Sequence, residues 1–158
     1  ATSIIEVGTG VGVSGLWLMS GAPDAVLTTI DIELDHQTVA RKAFLDAGVP
    51  AKQVRLIGGR ASEVLPRMNE SSYDLVFIDA DPASVIEYVE HGLRLVRKGG
   101  TVLVAHALWR GRVADPAQRD DTVASFRLLL SEIAKSAAVL SALSPLGDGL
   151  LQLTKVSD

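Results

Sequence analysis

The chain has no cysteine. That excludes a disulfide framework and a thiolate metal site, and it leaves the redox compartment open. Long apolar runs are missing too: none reaches the roughly 18 to 20 residues that cross a bilayer, so no membrane span is expected. Basic charge is not in excess, since 15 Lys and Arg face 19 Asp and Glu for a net charge of −4. Such a balance offers no bulk attraction to phosphate backbones or anionic lipid, and no nucleic-acid partner is expected. No signal peptide, low-complexity tract, internal repeat or interdomain linker is visible.

What is present is a globular composition, 47% hydrophobic and 22% charged, with a mean hydropathy of +0.28. At 158 residues the prior is one domain, which buries roughly 70% of its unfolded surface. The first residue is Ala1 rather than Met, and an apolar strand is under way by Ser3 or Ile4. We therefore expect a single domain over 1–158 that lacks N-terminal lid or dimerisation helices.

Segments rich in Ile, Val and Leu at 3–7, 26–31, 53–57, 73–79 and 101–106 predict strands, with helices over 13–20, 35–47, 62–68, 82–96 and 120–136. Gly48 and Gly99-Gly100 read as helix stops. Two closing strands, 139–144 and 150–156, have no helix between them, and Pro145-Leu146-Gly147-Asp148-Gly149 supplies a tight turn. Continuous apolar strands separated by helices imply a parallel sheet covered on both faces. The expected fold is α/β: a Rossmann-like, doubly wound, mostly parallel sheet of seven strands, with helices on both faces and a C-terminal antiparallel hairpin.

The opening segment carries the most chemistry. Glycines at 8, 10 and 12 remove side chains where backbone must bend and come close to a ligand, and the helix that follows points its positive end at the same place. This describes a nucleotide-type cofactor pocket. Gly10-Val11-Gly12-Val13-Ser14-Gly15 matches GxGxxG, and Asp31 follows Gly12 by 19 positions, near the ~20 of a ribose-binding carboxylate in a dinucleotide fold. NAD is thus one candidate. A dinucleotide, however, needs the helix N-terminus for its pyrophosphate, and Glu6 stands in the strand just before it.

Glu6 to Gly12 reads ExGxGxG, which resembles the first motif of class I S-adenosylmethionine-dependent methyltransferases, as does the terminal hairpin. S-adenosylmethionine is a zwitterion bearing a sulfonium, and carboxylates suit it. The resemblance implies cofactor binding by Glu6, Gly8, Gly10, Gly12, Ser14, Asp31, Ala61 and Asp79. Asp31 would accept from both ribose hydroxyls, Glu6 would shape the turn or meet the ammonium directly or through water, and Gly59-Arg60-Ala61-Ser62 would lie beside adenine.

The phrase Tyr73 to Asp81 is an apolar strand ending in carboxylates. It resembles the fourth-strand motif of the cation-dependent O-methyltransferases, the family of catechol and caffeoyl-CoA O-methyltransferases, whose bacterial members the chain is similar to. Ala107 to Pro116 and Leu146 to Leu150 extend the likeness, which covers Ile4 to Lys155. In that family a divalent cation, usually magnesium, is held by the fourth-strand Asp and an Asp-Asn pair ending the fifth strand. Here Asp79 matches, whereas the pair is replaced by Ala105-His106, and Pro82 stands where many members carry a catalytic lysine.

His106 therefore has three readings: a metal ligand with Asp79, a general base replacing cation and lysine, or a buried strand-end histidine with a backbone partner. Asp79 and His106 are the catalytic candidates and the metal candidates alike. Asp81 either adds a metal ligand or, as the residue before Pro82, opens the following helix as an N-cap, the reading its position favours, and Asp148 serves the hairpin turn. Trp109, Arg110 and Arg112 either border the acceptor or anchor a loop. Trp17 is expected to pack, while His36, His91 and the pairs Arg41-Lys42 and Arg94-Arg97-Lys98 read as ordinary solvated surface.

The resemblance implies an O-methyltransferase that moves a methyl group from S-adenosylmethionine to a hydroxyl of a small, catechol-like acceptor, in a cytoplasmic homodimer. Two alternatives stand beside it. One is an S-adenosylmethionine-binding protein with weak or no transfer, suggested by Ala105 and Pro82; the other is an NAD-linked oxidoreductase, suggested by Gly10 to Gly15.

Overall fold

A computed structural model describes residues 1–157. The elements run β1 (Ser3–Val7), α1 (Val13–Gly21), β2 (Val26–Asp31), α2 (Leu34–Asp46), β3 (Val54–Gly58), α3 (Ala61–Val64), β4 (Tyr73–Ile78), α4 (Val85–Leu95), β5 (Val96–Val104), α5 (Asp121–Lys135), β6 (Val139–Ser144) and β7 (Leu150–Lys155). The seven strands form one sheet in the order β3-β2-β1-β4-β5-β7-β6. Strands β1 to β5 pair in parallel, and β7 pairs antiparallel with both β5 and β6. The expected fold is the observed one.

Side-chain alternation along the strands builds two cores. Ile4 and Leu27 point to a face covered by Met19 of α1 and Ala40 and Phe44 of α2. Ile5, Val7 and Ile30 point the other way, into a larger cluster with Leu65, Tyr88, Val89, Phe126 and Leu129. Helix α4 buries Val85, Tyr88, Val89, Gly92 and Leu95, the three-to-four spacing that turns one stripe inward. A fully buried side chain such as Ile5 contributes roughly 2 kcal/mol relative to exposure.

Some expectations shift. The 62–68 helix is one α turn followed by a 3₁₀ turn, Leu65–Arg67, because Pro66 cannot donate to continue it. Gly99-Gly100 does not end a helix: α4 stops at Leu95, and Gly99, at φ 78°, bends the chain inside β5. Trp17 does not pack; it is 75% exposed, since α1 is apolar all round and only one side meets the sheet. Two basic residues read as solvated are tied down, Arg94 donating to the Leu65 carbonyl at 2.7 Å and Arg97 to Asp74 at 2.6 Å.

Strand β1 lies at the topological switch: the chain winds outward to β2 and β3 on one side and crosses back to β4 on the other. Helices leaving β1 and β4 diverge there, which opens a crevice beyond the strands' carboxyl ends. Among the described residues no helix is long and apolar enough to cross a membrane.

Candidate active site

The crevice is a cleft of about 590 Å³ over the ends of β1, β2 and β4. Gly8, Gly10, Ser14, Asp31, Ala61 and Asp79 all line it. Glu6 and Gly12 do not. Glu6 lies on the α1 side of β1 with no exposed surface, and Gly12 is the N-cap of α1, turned toward Ala40. Both lie behind the turn rather than in its mouth.

Gly8 is required by close approach. Its φ is 96°, and a Cβ there would stand 1.9 Å from the Asp79 carbonyl oxygen, so only glycine lets β1 and β4 end side by side. Asp31 is built into the turn as well. Its Oδ2 accepts from the Gly10 amide at 2.9 Å and its Oδ1 from the Glu33 amide at 2.9 Å. A carboxylate has about four acceptor sites, so lone pairs remain for a ligand diol. Beneath the turn the Thr9 and Thr29 hydroxyls bond each other at 2.8 Å.

Glu6 Oε1 accepts from the Ser14 hydroxyl at 2.8 Å, while Oε2 is buried without a partner. Burial pushes its pKa from the ordinary 4.5 up to about 7, with the nearby charges of Asp79 and Asp31 adding to the rise. A protonatable acid thus sits under the N-terminus of α1, where a pyrophosphate would otherwise be drawn. Asp81 marks the start of the 3₁₀ turn Pro82–Ser84 without a side-chain cap bond. Its Oδ1 instead accepts from the Tyr88 hydroxyl at 2.6 Å, and burial and that bond push the phenol up to about 12. His36, read as plain surface, lines the cleft with Nδ1 4.0 Å from Asp31.

A second hollow of about 20 Å³ adjoins the first through Asp79 and Ala80, lined also by Pro82, Val104, Ala105, His106, Trp109 and Phe126. Trp109 packs on Phe126 with ring centres 5.7 Å apart. His106 is half exposed and its partner is a side chain, so the reading as a buried histidine with a backbone partner does not hold: Nδ1 lies 3.0 Å from Asp148 Oδ2 and Nε2 3.6 Å from Asp79 Oδ1. Arg112 points away to Asp120 and Gln118, which makes it a loop anchor. Asp120 also caps α5, accepting from the Val123 amide at 3.1 Å.

The donor set is a poor match for a family-type cation. Ala105 offers no oxygen, His106 offers nitrogen, and among the described residues no three His, Asp or Glu side chains converge in a way that would hold a metal ion. Magnesium demands near-octahedral oxygen coordination. The residues present do not supply it.

Arg127 carried no sequence signal. From α5 it donates to the carbonyls of Val113, Gln118 and Asp115 at 3.0, 2.7 and 2.6 Å, holding the loop after β5 in place. A guanidinium serving distant carbonyls is set by tertiary contact, so no local motif announces it.

Fold, switch-point crevice and glycine turn together define a Rossmann-like domain built for a nucleotide-type cofactor. A family model described as O-methyltransferase matches residues 1–156. A protein of Mycobacterium marinum whose name places it among the O-methyltransferases is 53% identical over 150 residues, 94% of this chain and 67% of its own length. A Corynebacterium glutamicum crystal structure matches with a TM-score of 0.91 at 32% identity, over 98% of this chain and 72% of the other. TomG of Streptomyces achromogenes, an O-methyltransferase involved in tomaymycin synthesis solved with S-adenosylmethionine, matches with a TM-score of 0.87 at 30% identity, over 99% and 74%. The chain belongs to this O-methyltransferase family.

Proposed function

We propose that the cleft binds S-adenosylmethionine and that the chain transfers its methyl group to a hydroxyl oxygen of a small, catechol-like acceptor, as a cytoplasmic homodimer. The carrying observation is the sign of charge in the cleft. Asp31, Glu33, Asp79 and Asp81 line it against Arg60, with Glu6 behind. Such walls suit a sulfonium and an ammonium group and oppose the pyrophosphate of a dinucleotide. Asp31 would hold the ribose hydroxyls, Ala61 would border adenine, and Ser14, held from behind by Glu6, would answer the amino-acid end.

When bound, the cofactor supplies an electrophilic methyl group on sulfur. The chain's part is to orient the acceptor oxygen and to keep Asp79 at the junction of the two hollows, with Trp109 as an aromatic wall. Calorimetric titration tests the reading. Micromolar binding of S-adenosylhomocysteine and none of NAD is expected; tight NAD binding without S-adenosylhomocysteine reverses it. Radiolabelled methyl transfer to pyrocatechol, caffeate and 3,4-dihydroxybenzoate then tests the acceptor class. Ala105 and Pro82 favour a second reading, a cofactor-binding protein without transfer, which binding with no incorporation across the panel would support.

A further inference from the structure

We propose that Asp148 is a positioning residue for His106, presenting Nε2 to receive the acceptor's hydroxyl proton where the family resemblance implies a cation and a lysine. This rests on reading the cleft as a methyl-transfer site. The geometry is asymmetric about the ring. Asp148 Oδ2 is at hydrogen-bond distance from Nδ1, 3.0 Å, whereas Asp79 Oδ1 is 3.6 Å from Nε2, beyond it. The neutral ring therefore keeps its proton on Nδ1 and turns a lone pair on Nε2 toward Asp79 and the smaller hollow.

Asp148 does not swing freely. Its Oδ1 accepts from the Arg110 amide at 2.5 Å. The hairpin and the loop after β5 are also joined by Ala107 N–H to the Gly149 carbonyl at 2.9 Å and Leu108 N–H to the Asp148 carbonyl at 3.0 Å. Five non-glycine residues among those described have positive φ, and four of them stand at this junction: His106 at 56°, Trp109 at 46°, Arg110 at 57° and Asp148 at 69°. Such conformations are unfavourable for residues that carry a Cβ, and they persist where surrounding contacts enforce them. A turn needing only a clasp would use one carboxylate oxygen on the Arg110 amide. The second is spent on the imidazole.

The bond with His106, then the Arg110 amide, hold the Asp148 carboxyl below its usual range, so it stays ionised. In the reaction the acceptor's O–H proton passes to Nε2 while the oxygen's electron pair bonds the methyl carbon. The carbon–sulfur pair returns to sulfur, leaving a neutral thioether and an ether. The imidazolium stands between Asp148 and Asp79, with the Arg110 charge acting on Asp148, and later loses its proton to water.

The test is nitrogen-15 NMR of the histidine rings, of which the chain has three; the His106 signals are assigned by their loss in His106→Gln. At pH 8 the ring is expected to carry its proton on Nδ1, and millimolar manganese is expected to leave its signals sharp. In Asp148→Asn the amide can still accept from Arg110 but donates to Nδ1, so the ring proton should move to Nε2. Parent signals showing a proton on Nε2 or on both nitrogens, or broadening by manganese, overturn the proposal without recourse to any variant. Calorimetry with S-adenosylhomocysteine on the same sample separates the two levels. Its failure to bind overturns the methyl-transfer reading and the proposal with it, whereas binding beside an Nε2-protonated ring overturns the proposal alone.

Discussion

The Gly10 amide donates to Asp31 Oδ2 at 2.9 Å, so the acid that ends β2 holds the turn that ends β1. One carboxylate thereby both shapes the cleft and lines it. Asp31→Ala should lose both roles: S-adenosylhomocysteine affinity should fall about 100-fold, from two charge-assisted bonds of roughly 1.5 kcal/mol each, and stability by about 1–2 kcal/mol. Calorimetry and urea unfolding read the two effects separately. Full affinity in a folded variant would remove Asp31 from the binding site.

Gly8→Ala should be far more damaging than Gly10→Ala. Both positions have positive φ, but an added Cβ at Gly8 meets the Asp79 carbonyl at 1.9 Å, while at Gly10 it meets nothing within 4 Å. We expect a loss of about 4 kcal/mol or no folding in the first and about 1 kcal/mol in the second. Equal denaturation midpoints would contradict the close approach of β1 and β4.

Glu6 should make stability fall as pH rises. Its folded pKa, about 7, lies above the ordinary 4.5, so the folded state binds the proton more tightly than the unfolded chain. Stability is then fully present below about pH 4.5 and declines until about pH 7, by up to about 3 kcal/mol. Glu6→Gln should flatten that decline and be the more stable protein at pH 8. Parallel pH profiles for the two, measured by urea midpoint, would refute the assignment.

His106→Ala should lower kcat about 100-fold, the usual scale of a lost general base, with S-adenosylhomocysteine affinity unchanged. Chelator should leave the parent's turnover intact. Turnover that collapses in chelator and returns with magnesium would establish the cation chemistry instead.

The glycine turn and Asp31 were legible in sequence because they are local: strand, turn and helix follow one another, and the acid ends the next strand. Glu6 and Gly12 belong to the same motif, and what the spacing does not show is that they stand behind the cleft wall rather than in it. His36 was read as surface since nothing in its helix marks it, and it reaches the cleft only because α2 starts beside Asp31. Asp148 was read as a turn former. Its partner His106 lies 42 residues away in sequence, and no spacing rule connects a hairpin tip to a strand end.

By itself the sequence determined the alternation of strands and helices, the seven-stranded sheet and the glycine turn, since apolar periodicity, glycine placement and chain order act over short distances. Only the tertiary structure decided that Glu6 is sealed from the cleft, that Trp17 faces solvent, and that His106 stands between Asp79 and Asp148. Those outcomes depend on how β4, β5 and the hairpin are brought side by side in the sheet, and burial and side-chain pairing exist only once distant segments share that space.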